Sequence, residues 1–400
     1  MSDTDTQYDD PFQRYSYRSS LIEELRNTGG RMQRGRVTVR TARTFGFCWG
    51  VDRAVAMVRD ALRDYPDRRI WLLDQIIHNP QVNADFKDMG VRFVRGPFAD
   101  ASASEGDGSS QLSADDVVVI PAFSATVEDT EQLEGIGCTI LDTTCPWVVR
   151  PHLRTIKYVE DGFTTVIHGL VQHEETRASC SLIASRGGQY LVVADQGEAE
   201  RLCRVIRGEL DAGDYLDSLA AGACSADFDP TEHLTRIGTI NQTTMLASET
   251  REIEALIREA VAARDPAVEI AESFRELNTI CRATQENQDS VVALAESGEL
   301  DLLVVVGGFD SSNTRNLTRV GGGCFPSFHV LGPDAIEAGV IRHRCAKTGN
   351  TVSTDNWLPE GPISVGFTAG ASTPDTLLGD VVEAVLRAAG ERVDAAPSVS

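Results

Sequence analysis

Lysine is almost missing from this 400-residue chain: only Lys87, Lys157 and Lys347 occur, and every other basic residue is arginine. With 60 acidic residues against 37 basic ones, the net charge is −23. A chain of that sign offers no basic face for a polynucleotide backbone, so nucleic-acid binding is not expected. No apolar run approaches the ~20 residues of a membrane span. The opening MSDTDTQYDDPFQ has neither a basic start nor an apolar stretch, so no secretory signal is expected. The nine cysteines include no C-x-x-C pair, which weighs against a structural zinc site. Nine is also an odd count, unlike a disulfide framework, and points to a reducing, cytoplasmic setting. No G-x-G-x-x-G follows a strand-like run, so a built-in nicotinamide or flavin site is not expected. The acidic excess suits an ordinary bacterial cytosolic protein and equally a halophile, whose salt-rich cytoplasm favours a hydrated carboxylate surface.

What is present is a pattern written three times. Cys48 in FGFCWGVDRA, Cys145 in LDTTCPWV and Cys281 in NTICRATQENQ each stand between a strand-like run and a helix-like one. Thirty residues beyond Cys48 lies His78 in IIHNP, twenty-eight beyond Cys145 lies His173 in QHEET, and thirty beyond Cys281 lies Ser311 in FDSSNT. A further polar loop closes each unit: PAFSATVED, NQTTMLASE and TAGASTPD. Strands alternate with helices throughout, so the fold class is α/β with mainly parallel sheets. In such sheets ligands bind outside the carboxyl ends of the strands, where these loops fall.

The expected organisation is a polar extension at 1–36 with a short helix in SSLIEELRN, then units at 37–144, 145–280 and 281–388, and a tail at 389–400. The Gly/Ser/Asp-rich stretch 97–116 and the weakly patterned 201–236 read as insertions. VDRAVAMVRDAL places Val51, Ala54, Val55, Val58 and Leu62 at helical spacing. The last helix, TPDTLLGDVVEAVLRAAG, places Leu377, Leu378, Val381, Val382 and Val385 on one face.

A cysteine at a helix N-terminus is biased toward thiolate by the helix dipole, and thiolates bind soft metals. Three of them without a fourth suit an iron–sulfur cluster with one iron left open. Turn-forming or capping roles account for any single Ser or Thr in the polar loops. As a set, His78, His173, Thr243, Ser311, Ser312, Asn313 and Ser372 also form a phosphate cradle that needs no lysine. Glu175 is either part of a solvated run or, in a closed pocket, a proton donor.

In order, FGFCWGVDRA, IIHNP, LDTTCPWV, HEET, NQTTM, TICRATQENQ, GGFDSSNT and TAGASTPD resemble the motifs of the LytB/IspH family of 4-hydroxy-3-methylbut-2-enyl diphosphate reductases. The resemblance spans about residues 37–388 and is nearest to the cyanobacterial and plant-plastid branch. It implies three α/β units around a pseudo-threefold axis, enclosing one 4Fe–4S cluster held by Cys48, Cys145 and Cys281, with its open iron taking the substrate hydroxyl. His78, His173, Thr243, Ser311, Ser312, Asn313 and Ser372 match the substrate pocket. Thr284 matches a hydroxyl near the substrate alcohol, and Glu175 matches the acid that delivers a proton. Where many members read SAHG this chain has Ala122-Phe123-Ser124-Ala125, so Phe123 replaces a diphosphate-facing His. The plant-like branch reads PAFGA at this point. The implied reaction is reductive dehydroxylation to isopentenyl and dimethylallyl diphosphate, the last step of the methylerythritol phosphate pathway. The implied electron source is a separate protein such as ferredoxin, whose own acidity makes docking on an acidic surface unfavourable at low salt. A non-catalytic iron–sulfur sensor and a zinc- or cysteine-dependent hydrolase of phosphorylated small molecules are the alternatives. A sensor would need neither Glu175 nor the SSN loop.

Overall fold

The computed structural model describes residues 15–99 and 111–392. The middle of the stretch 97–116 and the two ends of the chain lie outside the described residues. Three sheets carry the fold. One runs Arg92–Phe93, Ile70–Leu72, Val117–Ile120, Thr139–Asp142. A second runs Tyr190–Val193, Thr164–His168, Ile237–Asn241, Phe274–Glu276. In the third, Ser327–Val330, Leu302–Val306, Ile363–Ala369 and Val37–Thr41 lie side by side in the same way. All neighbours within these four-strand blocks are parallel. The third sheet is extended by antiparallel Arg31–Arg34 at one edge and the hairpin Val340–Arg344/Thr351–Asp355 at the other.

The order within each block is therefore second–first–third–fourth, three times over. The fourth place in the third sheet is filled from the front of the chain by Val37–Thr41, paired Val37↔Ile363 through Thr41↔Phe367. Each fourth strand leads to a cysteine: Thr139–Asp142 to Cys145, Phe274–Glu276 to Cys281, and Val37–Thr41 to Cys48. The sheets thus end each repeat at a cysteine; divisions at 145 and 281 fall at those ends, whereas a division at 37 puts Val37–Thr41 in the first unit although it pairs in the third sheet. The difference is one strand, because hydrophobic pattern identifies a strand but not the edge whose free N–H and C=O groups it will meet. The described part of the stretch 1–36 belongs to the third layer as well. Helix Ser20–Asn27 buries Ile22 and Leu25 in the core that also holds Leu378 and Val382.

Strands that read VVVI, TTVIH and LLVVV are buried at every position. Such runs suit parallel strands covered on both faces by helices. The helix after Cys48, Trp49–Asp64, turns Val51, Ala54, Val55, Val58 and Ala61 inward. The final helix, Asp375–Ala388, buries Leu378, Val381, Val382 and Val385. Each large aliphatic side chain so buried contributes roughly 1.5–3 kcal/mol. The weakly patterned stretch also packs: Leu202, Cys203 and Ile206 from the helix Gln196–Ile206, which the stretch enters half-way, and Tyr215, Phe228 and Leu234 on or beside two helices too short to show a period join the second sheet's core.

The order second–first–third–fourth places a switch point between the first and third strands of every sheet. Connections leave in opposite directions there and open a crevice at the carboxyl end. The loops at these three switch points carry His78 and Phe123, His173 and Thr243, and Ser311 and Ser372.

Candidate active site

The three crevices merge into one cavity of about 550 Å³, whose lining includes Cys48, Cys145, Cys281, His78, His173, Thr243, Thr284, Ser311, Ser312, Asn313 and Ser372. Of the residues singled out in the sequence, only Glu175 is not on its wall; it lies fully buried behind Thr243.

Each cysteine is the N-cap of the helix that follows it, with extended backbone and no helical partner for the first N–H groups. Its own N–H is tied to a third-strand loop: Cys48 to the Ala371 carbonyl at 3.2 Å, Cys145 to that of Ala122 at 3.0 Å, and Cys281 to that of Thr243 at 3.0 Å. The same bond made three times fixes the three sulfurs about one axis. Burial pushes all three thiols up, Cys281 to about 11, while helix N–H groups (those of Gly50 and Val51, of Trp147 and Val148, and of Thr284) pull them down. A metal that replaces the proton reverses the balance, since it neutralises the charge that burial disfavours. The sulfurs do not all lie within 4.8 Å of one another. Gly50 keeps the space open, because a Cβ there would come within 2.6 Å of the Cys145 sulfur.

Beside the thiols is a cradle of polarised donors. Ser312 Oγ accepts from Gln242 Nε2 and from Arg315 Nη2, both at 3.1 Å. With both lone pairs engaged, its own O–H is left to donate into the cavity. Ser311 Oγ accepts from the Thr314 N–H at 3.2 Å and the Thr314 hydroxyl at 2.9 Å, with the same result. His173 caps the helix Glu174–Ser185, its Nδ1 accepting from the Glu175 N–H at 3.2 Å. Burial, with His78 alongside, lowers it to about 3, so it is a neutral imidazole carrying its proton on Nε2. His78 stacks on Phe123, ring centroids 4.2 Å apart and planes 18° from parallel. Its Nε2 lies 3.3 Å from His173 Nε2 and 3.4 Å from a Glu174 carboxylate oxygen. Burial would raise Glu174, but the bond from His78 and the two imidazoles outweigh it and hold the carboxyl at about 2. Among the described residues His78, His173 and Glu174 form the one trio close enough for a single ion, yet one of its two rings, that of His173, already spends a nitrogen on the backbone. Hydrogen bonds from such donors to an anion contribute about 1.5–3 kcal/mol each.

Between cradle and thiols, Thr284 Oγ1 lies 3.1 Å from the Cys281 sulfur and accepts from Asn313 Nδ2 at 3.3 Å. Asn313 Oδ1 in turn accepts from the Ala371 N–H at 3.0 Å. Ser372 donates to the His78 carbonyl at 3.2 Å, leaving its lone pairs to the cavity. The two carboxylate oxygens of Glu175 are held by the Thr243 N–H at 2.8 Å and the Thr243 hydroxyl at 2.9 Å. Burial raises this carboxyl to about 7 against the pull of those two bonds. A protonated Glu175 donates to Thr243 Oγ1, whose own hydrogen then points to the cavity.

Sequence reasoning missed Gly50, Glu174, Gln242 and Arg315. Arg315 was the most legible of these, since an arginine directly follows SSNT, as Arg177 follows HEET. Ser124 is a further local feature, with φ at +78°. That region strains a residue with a side chain, and the plant-like pattern PAFGA has glycine there. Ser124→Gly is expected to raise unfolding free energy by about 1 kcal/mol, read from urea midpoints; an unchanged or lowered midpoint contradicts this.

Fold and site together define an α/β protein in which three helix-capping cysteines share one cavity with a set of polar side chains. Residues 39–386 match the LytB protein family. The chain is 42% identical over 374 residues to a 4-hydroxy-3-methylbut-2-enyl diphosphate reductase of Cyanothece sp., covering 93% of this chain and 89% of that one. It is 42% identical over 376 residues to the reductase of the same name from Gloeobacter violaceus, covering 94% and 88%. A solved (E)-4-hydroxy-3-methyl-but-2-enyl diphosphate reductase superposes with TM-score 0.52 at 24% identity, over 87% of this chain and 98% of that one. The E-1-hydroxy-2-methyl-but-2-enyl-4-diphosphate reductase of Plasmodium falciparum does so with TM-score 0.61 at 17% identity, over 86% and 87%. These two show the shared fold. The chain belongs to the LytB family, whose members use an iron–sulfur cluster.

Proposed function

We propose that this chain reduces 4-hydroxy-3-methylbut-2-enyl diphosphate to isopentenyl and dimethylallyl diphosphate, the last step of the methylerythritol phosphate pathway. The observation that carries this reading is a buried carboxyl near neutral pKa, relayed by Thr243 into a cavity that also holds three helix-capping thiols and an anion cradle. The reaction consumes two electrons and two protons and releases the hydroxyl as water. Cys48, Cys145 and Cys281 would hold a 4Fe–4S cluster, which when bound would supply electrons one at a time and a Lewis acid for the leaving oxygen.

The remaining work falls to side chains. Ser311, Ser312 and His173 donate to the diphosphate, His78 and Asn313 stand beside them, and Ser372 joins by turning its hydroxyl from the His78 carbonyl, so the allylic end lies toward the thiols. Arg315 and Gln242 fix the direction of the Ser312 hydroxyl. Phe123 holds the His78 ring in plane by stacking, where other family members place a further imidazole. Thr284 stands next to the Cys281 sulfur and bonds the substrate alcohol. Glu175 delivers the proton that makes the hydroxyl a water, through Thr243. A sensor has no use for that relay.

Iron and acid-labile sulfide, measured after anaerobic reconstitution, test the cofactor: about four of each per chain are expected, and a colourless zinc protein contradicts the assignment. The acidic excess fits a salt-rich interior, where a Debye length of about 3 Å at 1 M relieves self-repulsion. A melting temperature that climbs with KCl into the molar range is expected; one flat above ~0.2 M returns the charge to an ordinary acidic surface.

A further inference from the structure

Eight large hydrophobic side chains are exposed among the described residues, and half of them lie on the first turns of the Cys48 and Cys145 helices. Trp49 (63% exposed) directly follows Cys48, while Trp147 (39%), Val149 (38%) and Leu153 (64%) sit on the first turns after Cys145. Trp49 and Trp147 line the cavity mouth. An uncovered tryptophan beside each of two cluster-site cysteines is costly in water unless something covers it.

The charge there runs against that of the chain as a whole. Residues 143–159 contain Arg150, Arg154 and Lys157; Lys157 is paired with Asp161 at 2.8 Å and Asp52 lies on the first turn of the Cys48 helix, so the positive charge of this face is that of Arg150 and Arg154, within a protein of net charge −23. Arg43 and Arg282 stand at the same mouth. Arg282 is bound to Glu286 at 2.7 Å, so it adds reach but little net charge. Arg53 donates to the carbonyls of Thr143 and Thr144 at 3.2 and 3.3 Å, tying the Cys145 loop to the Cys48 helix and making the two turns one surface.

We propose that this basic, aromatic face is the docking surface for a small acidic iron–sulfur electron carrier, which meets the protein over the first turns of the Cys48 and Cys145 helices. The inference rests on the reductase reading, which requires two electrons delivered singly. Each docking oxidises one carrier by one electron and reduces the cluster by one, so two encounters serve one turnover. The apolar centre with a basic rim has the anatomy of an electrostatically guided interface. It also revises the expectation from net charge that an acidic carrier is simply repelled. At ~0.01 M salt the Debye length is ~30 Å and the carrier senses the whole acidic molecule; at ~0.1 M it is ~10 Å and the carrier senses the patch; at ~1 M it is ~3 Å and the patch too is screened. Carrier-driven rates should therefore rise and then fall with salt.

The test uses Arg150→Glu and Leu153→Gln, singly and together, with Arg387→Glu outside the mouth as control. Reduction of the bound cluster by reduced acidic ferredoxin is followed by its visible absorbance without substrate, so the readout does not depend on turnover. Turnover with a small-molecule reductant is measured alongside. The double variant is expected to lose about tenfold in the carrier's second-order rate and the falling limb of the salt profile, with the small-reductant rate and iron content unchanged. Equal loss with both reductants, or no loss with the carrier, overturns the proposal. So does a parent that sediments as a dimer through this face while carrier kinetics ignore both substitutions. Normal cluster reduction without any turnover of the allylic diphosphate would count against the reductase reading and leave the docking result standing.

Discussion

Serine at Cys48, Cys145 or Cys281 leaves less than about a tenth of the parent's bound iron, because a hard hydroxyl is a poor ligand for the soft iron of a sulfide cluster. Each sulfur stands alone at its helix N-terminus, and among the described residues no other cysteine lines the cavity, so no neighbour can substitute. The backbone should survive the change: serine is a favoured N-cap, and the N–H bonds to Ala371, Ala122 and Thr243 do not involve the side chain. Far-ultraviolet circular dichroism of the variants should accordingly match the parent's. Cys203→Ser and Cys224→Ser serve as controls and keep the cluster, since both cysteines belong to the second sheet's core. Equal iron and sulfide in all five variants would remove the three thiols from the cofactor's ligand set.

Glu175→Gln is expected to lower kcat by at least ~10²-fold, the usual scale for a positioned acid, with iron content and substrate affinity close to the parent's. Gln can keep the bond from the Thr243 N–H but has no proton to pass to the Thr243 hydroxyl. The pH dependence has a definite sign. The group is raised to about 7 from an ordinary 4.5, so the protonated, donating form predominates below 7 and is lost above it. The parent's kcat should fall as pH rises through 7, and the variant's residual rate should not. Linkage runs the same way: between 4.5 and 7 the folded state binds the proton more tightly than the unfolded one, so stability conferred by this group declines with rising pH. A variant with near-parent kcat, or a parent whose rate rises through this window, contradicts the relay.

Much of this was legible in the sequence because the same chemistry recurs three times. Strand-end cysteines before helical patterns indicated N-caps, and Cys48, Cys145 and Cys281 are N-caps. Polar loops at a common spacing indicated one crevice, and His78, His173 and Ser311 share one cavity. Pairing was not legible. Nothing in VTVRT says that it will pair with Ile363–Ala369, more than three hundred residues away. The direction of hydrogen bonds was equally hidden: Ser312 reads as a turn residue until two donors are found on its oxygen. Glu175 could be named from HEET, but its position behind Thr243 depends on a contact across 68 residues. Net charge does not say where charge sits: Arg150 and Arg154 stand together on one helix of a chain of net charge −23.

The central claim is that the thiols, the cradle and the Glu175 relay form one reductase site. Anaerobic incubation of the reconstituted protein with 4-hydroxy-3-methylbut-2-enyl diphosphate and a small-molecule reductant, with products identified by nuclear magnetic resonance, tests it most directly. The account predicts isopentenyl and dimethylallyl diphosphate with the diphosphate intact and two electrons consumed per molecule. Unchanged substrate in the presence of a fully reduced cluster, or release of inorganic phosphate, would contradict it.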